Sequence, residues 1–508
     1  MEHLNYICRL KKAVMVQRNF KKSVGISGSL TIIKKQANFW MVAFLALSLV
    51  FLPALQGCRK YLEENPDNRV ELKTADDLYA ALTGAYPEAW HLFTEIMSDN
   101  YRFYDYSSLN SGTIVSWLKP MYLWSDQYIL NLPVGPEFAW DHYYHSIYVS
   151  NVVLEGIDNA IGDESFKRNI KGEALLVRAY CHFMLVNLFA GHYDASTAEQ
   201  DLGIAYVVAT EKTGIVHYKR DNLAFVYGQI EKDALQGIQL IGNDNSDFSK
   251  YHFTKEAAYA LMSRYYLFTG EWGKCIQYSD SVLRIKSTVR NLIEDYHTYF
   301  DVNDFEGFQN DYCSSGKENI LLMNKTLEWN SFALTGFYAN ELLGEFLNGD
   351  LRGNLFVFND NTNINWHSTK FIGQFKDGQQ YSNAALFTVE EVLLNRAEAL
   401  VRIETPDINR SLGDLNAILQ HRYETFSPLT SGMFSGSPAL VLGRIIDERR
   451  YELCYEGFRW FDLKRFEIPV DHDNGPVTVQ LAGDDLRYVL QIPEKERSAN
   501  ELMTANPR

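Results

Sequence analysis

The sequence predicts a mainly α-helical protein built from tetratricopeptide-like helical pairs and interrupted by long irregular stretches. Helix–turn–helix blocks recur from Trp140 onward, with Ala and Gly where helices would approach and Tyr and Phe opposite them. Between Asp99 and Pro136 the pattern dissolves into Tyr, Ser, Asn, Gly and Trp with no period, too long for an ordinary connection. The spacing of the blocks is irregular, so periodicity alone does not give a regular solenoid.

The amino-terminal segment comes first. Lys34 and Lys35 precede an apolar run from Phe39 to Leu55, closed by Gly57-Cys58, the order expected of a secretory signal. Leu55-Gln56-Gly57-Cys58 resembles a lipobox, in which Cys58 becomes the acylated first residue of the mature chain; Gln56 departs from the usual Ala or Ser. The competing reading is an uncleaved span, since the run reaches the lower limit of about 17 residues, but Pro53 and Gly57-Cys58 favour cleavage. Residues 1–33 are unnecessary for export, and Met15 and Met41 are alternative starts. Acyl chains would hold the protein at a membrane without another span, and no later apolar run is long enough to be one.

Arg59 to Asn68 are polar and contain Pro66, as a tether would be. Thr74-Ala-Asp-Asp-Leu caps a helix read through Leu78, Leu82 and Tyr86. After the first irregular stretch, Trp140, Tyr144, Ile147 and Asn151 share a helix face, and Gly172 to Phe189 form a second helix. Val226–Ile230 and Ala257–Phe268 make a third block, which Gly270-Glu-Trp-Gly ends before a helix from Cys275 to Leu283. A fourth block runs from Thr388 to Ile403 and resumes after Pro406 through Leu412–Leu419. Last comes Arg444 to Phe466. Ile446 and Leu453 set its helical face, Gly457 is read as the left-handed residue closing the helix, and Phe458, Trp460 and Phe461 pin the turn beyond it. Arg444, Glu448, Arg449 and Glu452 stand at spacings that allow pairing along the helix. Glu448, Glu452 and Glu456 line one face, yet no Glu-x-x-His lies nearby to make a di-iron site, so they are read as structural.

This last stretch resembles the C-terminal signature of the SusD/RagB family, through Glu448-Arg449-Arg450-x-Glu452-Leu453 and Glu456-Gly457-x-Arg459-Trp460-Phe461-Asp462-Leu463-x-Arg465. Further matches occur in order: Trp140, Tyr144, Ile147 and Asn151; Gly172-Glu173-Ala174 with Arg178-Ala179; Ala257-Ala258 with Arg264-Tyr265; Asp350-x-Arg352; Asn395-x-Ala397-Glu398-Ala399; Ile492-Pro493-x-x-Glu496; and Asn506-Pro507. The resemblance implies a surface lipoprotein that hands nutrients, mostly glycans, to a TonB-dependent, SusC-like transporter barrel in the outer membrane. It also implies an α–α superhelix of four tetratricopeptide-like pairs beneath an irregular ligand-binding layer. The chain then divides into an extension and signal peptide (1–57), an N-terminal half (58–235) and a C-terminal half (236–508), the halves forming one compact unit. Glu63-Glu64 resembles the family's acidic surface-export signal, diluted by Arg59 and Lys60.

Composition is consistent with this. The chain has 508 residues, 14% of them aromatic, with 31 Tyr, and aromatic rings offer sugars or peptides a flat apolar face with a polar edge. The net charge is −16; residues 1–57 hold eight Lys/Arg and one Glu, so the remainder carries 40 basic and 63 acidic residues, a net of −23. Such a surface repels nucleic acid. Of Cys8, Cys58, Cys181, Cys275, Cys313 and Cys454, none forms a Cys-x-x-Cys, and Cys181, Cys275 and Cys454 read as small buried hydrophobes.

No Gly-x-Ser-x-Gly, phosphate-cradling Gly-Lys-Ser/Thr or His-Glu-x-x-His is present, and no cofactor or metal is expected. His142 with His145 and Glu88-x-x-His91 have ligand-like spacing but no further partners, and Asn359–Asn365 lacks the Gly and Glu of a calcium loop. The reading is therefore a glycan-binding protein rather than an enzyme. The alternatives are the same fold binding peptides, or an α-helical glycoside hydrolase with its acid and base among the 63 carboxylates. Trp90, Trp140, Trp272 and Trp460 fall in helical or motif positions and are assigned to the core. Trp117, Trp124, Trp329 and Trp366, in segments rich in Asn, Ser, Thr and Gly, are the candidate sugar-stacking residues, with Tyr101 and Tyr104 extending the surface.

Overall fold

In the computed structural model the chain runs through helices α1 (Ala75–Thr83), α2 (Thr94–Met97), α3 (Pro136–Gly156), α4 (Glu164–Phe189), α5 (Leu223–Leu240), α6 (Lys255–Thr269) and α7 (Trp272–Ile285). It continues through α8 (Val389–Arg402), α9 (Ile408–Leu419), α10 (Pro438–Glu452), α11 (Phe458–Phe466) and α12 (Glu494–Ala499). The structure describes residues 72–508 apart from 103–117, 127–134, 212–215, 243–249, 327–336, 339–345, 347–348, 360–365, 369, 371–373, 377–378 and 475–476. Leu72–Arg508 form one compact unit.

Local signals set the helix ends. Thr74 and Asp77 form a reciprocal capping box at α1, which stops at Thr83, short of the predicted Tyr86. Asp163, Asn222, Thr254, Thr388, Asp407 and Ser437 each cap the next helix with a side-chain oxygen. Gly270 closes α6 at φ +74°, as the Gly-Glu-Trp-Gly break predicts.

The helices stack in chain order: α3 on α4, α4 on α5, α6 on α7, α7 on α8, and α8 on both α9 and α10. Helix α4 is the centre, buried almost without a break from Gly172 to Phe189. It meets α5 where no side chain fits: a Cβ on Gly172 would stand 3.0 Å from the Gly237 carbonyl, and one on Gly237 would stand 2.7 Å from Leu176. Cys181, Cys275, Cys313 and Cys454 are all buried thiols.

The family-like polar residues are the ties between helices. Arg178 of α4 grips Asp233 of α5 in a bidentate pair (2.7 and 2.8 Å) and donates to Asn151 of α3 (2.8 Å). Arg264 of α6 holds Glu391 of α8 at 2.5 and 2.6 Å, stacked between the rings of Phe387 and Phe458. Asn395 of α8 accepts from Arg449 of α10 (2.7 Å), which also donates to Asp462 of α11 (3.2 Å). Asn506 closes the chain by donating to the carbonyls of Phe189 and Leu490 (2.9 and 2.7 Å).

The signature stretch departs from its predicted geometry in three ways. The face that α10 buries is Val441, Ile445, Glu448, Arg449 and Glu452, so Ile446 is only half-buried and the inner face is largely polar. Arg444 and Glu448 do pair along the helix (2.7 Å), but Glu452 turns to Arg422 and Arg352 instead of Arg449. Gly457 is left-handed (φ +74°), yet it caps the start of α11; α10 ends at Glu452 with Leu453 as its cap. Burial explains the first two: a charge in the core takes the partner that satisfies it completely, and that partner comes from another element.

Strands form the irregular layer. β1 (Tyr101–Arg102), β2 (Ile320–Thr326), β3 (Phe337–Tyr338), β4 (Val357–Asn359), β5 (Trp366–Ser368), β6 (Gln374–Lys376) and β7 (Gln379–Thr388) precede α8, and β8 (Val470–Asn474) and β9 (Val477–Leu481) come after α11. β2, β7 and β6 make a three-stranded antiparallel sheet; β4–β5 and β8–β9 are antiparallel pairs.

Candidate ligand-binding face

The first irregular stretch and the segment after β2 are joined through the backbone. β1 pairs antiparallel with β3, Tyr101 opposite Tyr338 and Arg102 opposite Phe337, and β3 runs beside β5. Trp366 is the first residue of β5, paired with Asn359 of β4. Three stretches distant in sequence therefore share one place.

The base of this face is fixed by the signature. Glu95 of α2, buried, accepts from the backbone N–H of Tyr455 (2.8 Å) and of Gly457 (3.2 Å) and from Asn100 (2.9 Å). Tyr455 and Gly457 both have positive φ (67° and 74°), the turn that aims their N–H groups at one carboxylate. A Cβ on Gly457 would lie 2.9 Å from the Thr94 hydroxyl and 3.0 Å from the His91 carbonyl, so only glycine fits. Burial raises the Glu95 carboxyl above its ordinary range despite these donors. Arg459 of α11 forks onto Asp99 (2.8 Å twice), and Arg450 of α10 donates to Asn100 (2.8 Å) and the Asp99 carbonyl (3.2 Å). Burial alone raises Asp99, but Arg459 outweighs it and holds the carboxyl below its usual range. Asp99 and Asn100 open the first irregular stretch, so the signature anchors the start of that stretch.

The other side is tied in the same way. Lys370, between β5 and β6 and fully buried, donates to the carbonyls of Glu452 (2.6 Å) and Cys454 (3.2 Å) and pairs with Glu456 (2.9 Å). Burial pushes the Glu456 carboxyl up to about 7, with the Lys370 ammonium pulling against it. Arg352 pairs with Asp350, Glu448 and Glu452, and Arg422 takes Glu452 at 2.6 and 2.9 Å. Each of the three signature carboxylates thus has a buried cation, the arrangement of structural ion pairs.

The structure corrects two candidate site residues. Trp124 is 2% exposed, donates its indole N–H to the Met97 carbonyl (2.9 Å) and stacks on His472 (4.4 Å, 17°), so no ring face is free for a sugar. Tyr101 is buried as well, its ring against Tyr122. In both, proximity to the loop is real, but the large aromatic serves to pin it. Trp124 has φ +51°, a backbone conformation that a bulky residue adopts only where its surroundings force it. Trp117, Trp329, Tyr104 and the lipidation candidate Cys58 lie outside the described residues, as does most of the Asn359–Asn365 run; Trp366 is placed by its backbone alone. Trp140 and Trp460 are in the core and Trp90 and Trp272 pack against it. His91 is buried against Tyr143 (3.2 Å), and among the described residues no group of three metal-ligating side chains converges.

Sequence reasoning missed the residues that position the face: Glu95, Asp99, Asn100 and His472. His472 of β8 lies between Tyr122 (4.0 Å, 3°) and Trp124, its ring nitrogens 2.7 and 2.8 Å from the carbonyls of Tyr122 and Ser98. The one available signal was charge at the loop's edge, Asp99-Asn100 before the aperiodic stretch and the basic pair Arg450 and Arg459 in the signature.

A family model described as starch-binding associating with outer membrane matches residues 60–267, and the SusD family model matches 357–508, together most of the chain. The chain belongs to the SusD/RagB family. Solved SusD structures share its fold. A SusD superfamily protein from Bacteroides thetaiotaomicron VPI-5482 is 21% identical with a TM-score of 0.67, covering 86% of this chain and all of that one. A putative sugar binding protein from Bacteroides vulgatus ATCC 8482 is 22% identical with a TM-score of 0.65, covering 86% and 99%. A laminarin-binding SusD-like protein is 18% identical with a TM-score of 0.58, covering 86% and 99%. No curated protein matches. SusD-like proteins are a carbohydrate-binding, outer-membrane-associated family, and no helix among the described residues is long and apolar enough to cross a membrane.

Proposed function

We propose that this SusD protein is a cell-surface lipoprotein, anchored through Cys58, that captures oligosaccharides and delivers them to a TonB-dependent transporter barrel without itself cleaving them. The observation that carries the reading is the β1–β3 pairing beside β5: the segments bearing Trp117, Tyr104, Trp329 and Trp366 leave from, or lie on, strands that meet. An indole stacks on the apolar C–H face of a sugar ring, while nearby amides and hydroxyls take its hydroxyl groups. The laminarin-binding neighbour supports glycan over peptide.

The test is direct. Trp117→Ala and Trp329→Ala are each expected to weaken glycan binding by about 2 kcal/mol, at least roughly tenfold, with the melting temperature unchanged. Unchanged affinity in both, or a loss that tracks unfolding, would overturn the assignment. A binding panel of glycans and peptides separates the ligand classes, and release of products from a bound glycan would mark a hydrolase. Cys58→Ala is expected to leave the protein unlipidated, while the native chain partitions into detergent and co-purifies with a large β-barrel.

A further inference from the structure

A separate pocket of about 410 Å³, sharing no described residue with that face, opens beside α3. Its size suits a small ligand. Trp140, Tyr144 and Tyr148 recur every fourth residue along α3 and supply one wall; Ala205–Glu211 and Val216–Tyr218 supply the second, and α12 with Met503 the third. The floor is apolar, with Trp140 and Met503 buried, whereas Tyr148 keeps 41% of its surface exposed.

Part of the pocket's polar lining is already engaged. Tyr144 donates its hydroxyl to the Ala205 carbonyl (3.0 Å), Asn500 donates to the Tyr218 carbonyl (2.7 Å), and Lys495 pairs with Asp141 (3.1 Å). The carboxylates of Glu211 and Glu496 form no hydrogen bond or ion pair with any described residue. Burial pushes the Tyr144 hydroxyl up and Glu496 adds to it, with Arg220 pulling against them, and Tyr218 is raised by burial and then Glu211. A ligand therefore meets two carboxylates and several aromatic faces. A carboxylate only accepts, and the faces of aromatic rings attract cations. A neutral sugar gains no charge pairing with these carboxylates, and an anion would be repelled.

We propose that this pocket is a second binding site, for a small ligand carrying a primary ammonium group held between Glu211 and Glu496 against the tyrosine rings. An amino sugar and a lysine side chain share this chemistry. Titration calorimetry of the full chain in detergent micelles, with glucosamine, lysine amide, N-acetylglucosamine and glucose, tests it. Glucosamine or lysine amide is expected to bind with a Kd of about 1 mM or tighter, and the two neutral sugars at least about tenfold more weakly. The tighter of the two ammonium ligands identifies the source. Glu496→Gln and Glu211→Gln, both at solvent-accessible positions, should each lower affinity for the better ligand about fivefold or more without moving the melting temperature, and added salt should weaken binding. Trp117→Ala should leave this binding untouched, which keeps the result independent of the glycan face. Equal binding of N-acetylglucosamine, unchanged affinity in both Gln variants, or no binding of either ammonium ligand would overturn the proposal.

Discussion

Lys464 ends up at the heart of the molecule, its ammonium donating to the carbonyls of Asn187 and Ala190 (2.9 Å to the latter) at the end of α4. Burial pushes this ammonium down to about 7. Between pH 7 and about 10 the unfolded chain carries a proton on this lysine that the folded chain does not, so raising the pH through that window favours folding. The stability of the native chain in urea should therefore climb across the window by up to a few kcal/mol more than that of Lys464→Met. Equal slopes in the two proteins would contradict this. His472 is the other residue with a disproportionate reach, because its two ring nitrogens face the carbonyls of Ser98, just before the first irregular stretch, and of Tyr122, within it. His472→Leu removes both bonds and the stacked sandwich, and hydrogen exchange at Ser98–Tyr101 and 118–124 should accelerate while α4 stays protected.

At the scale of elements, the ties between helices are charged and buried. Truncating one partner of such a pair strands the other, so Arg352→Ala should destabilise the fold by about 3–5 kcal/mol, as read from denaturant unfolding. Gly237→Val should cost about 1–3 kcal/mol or more, because α4 and α5 must part to admit the side chain. The α-helical pairing was legible in sequence because signals such as the cap at Thr74 and the break at Gly270 act within a few residues. The inner face of α10 was not, since Glu448 and Glu452 look solvent-exposed until Asp350-x-Arg352 is folded against them. Trp124 and Tyr101 misled for the opposite reason: an aromatic in an aperiodic stretch reads as available, and only packing against His472 and Tyr122 shows that it is occupied.

Across the whole molecule, the last residues close what α4 begins. Asn506 is buried, donates to Phe189 and Leu490, and its N–H meets the Gln491 side chain (2.6 Å). Removing Ala505–Arg508 should lower the melting temperature by several degrees, since the carbonyl of Phe189 and the Gln491 amide oxygen each lose a partner in the core. The helical blocks from Trp140 to Phe466 were readable in the sequence apart from the inner face of α10, whereas the candidate face was readable only as a set of aromatic-rich segments. Which of those segments meet depends on β1 and β3, two residues each and without a pattern of their own.

The brevity of that pairing has a further consequence. A main-chain hydrogen bond is indifferent to the side chain beside it. The two aromatic-rich segments are thus clasped by a fastening that imposes no identity on the residues they carry, while Arg450, Arg459 and Lys370 moor them to the helices from outside. Such a chain can exchange its menu by rewriting the loops alone. A chimera that keeps Asp99–Arg102, Phe337–Tyr338 and everything in the helices, and takes the intervening loops from a relative with another diet, should fold as before and bind what the donor binds.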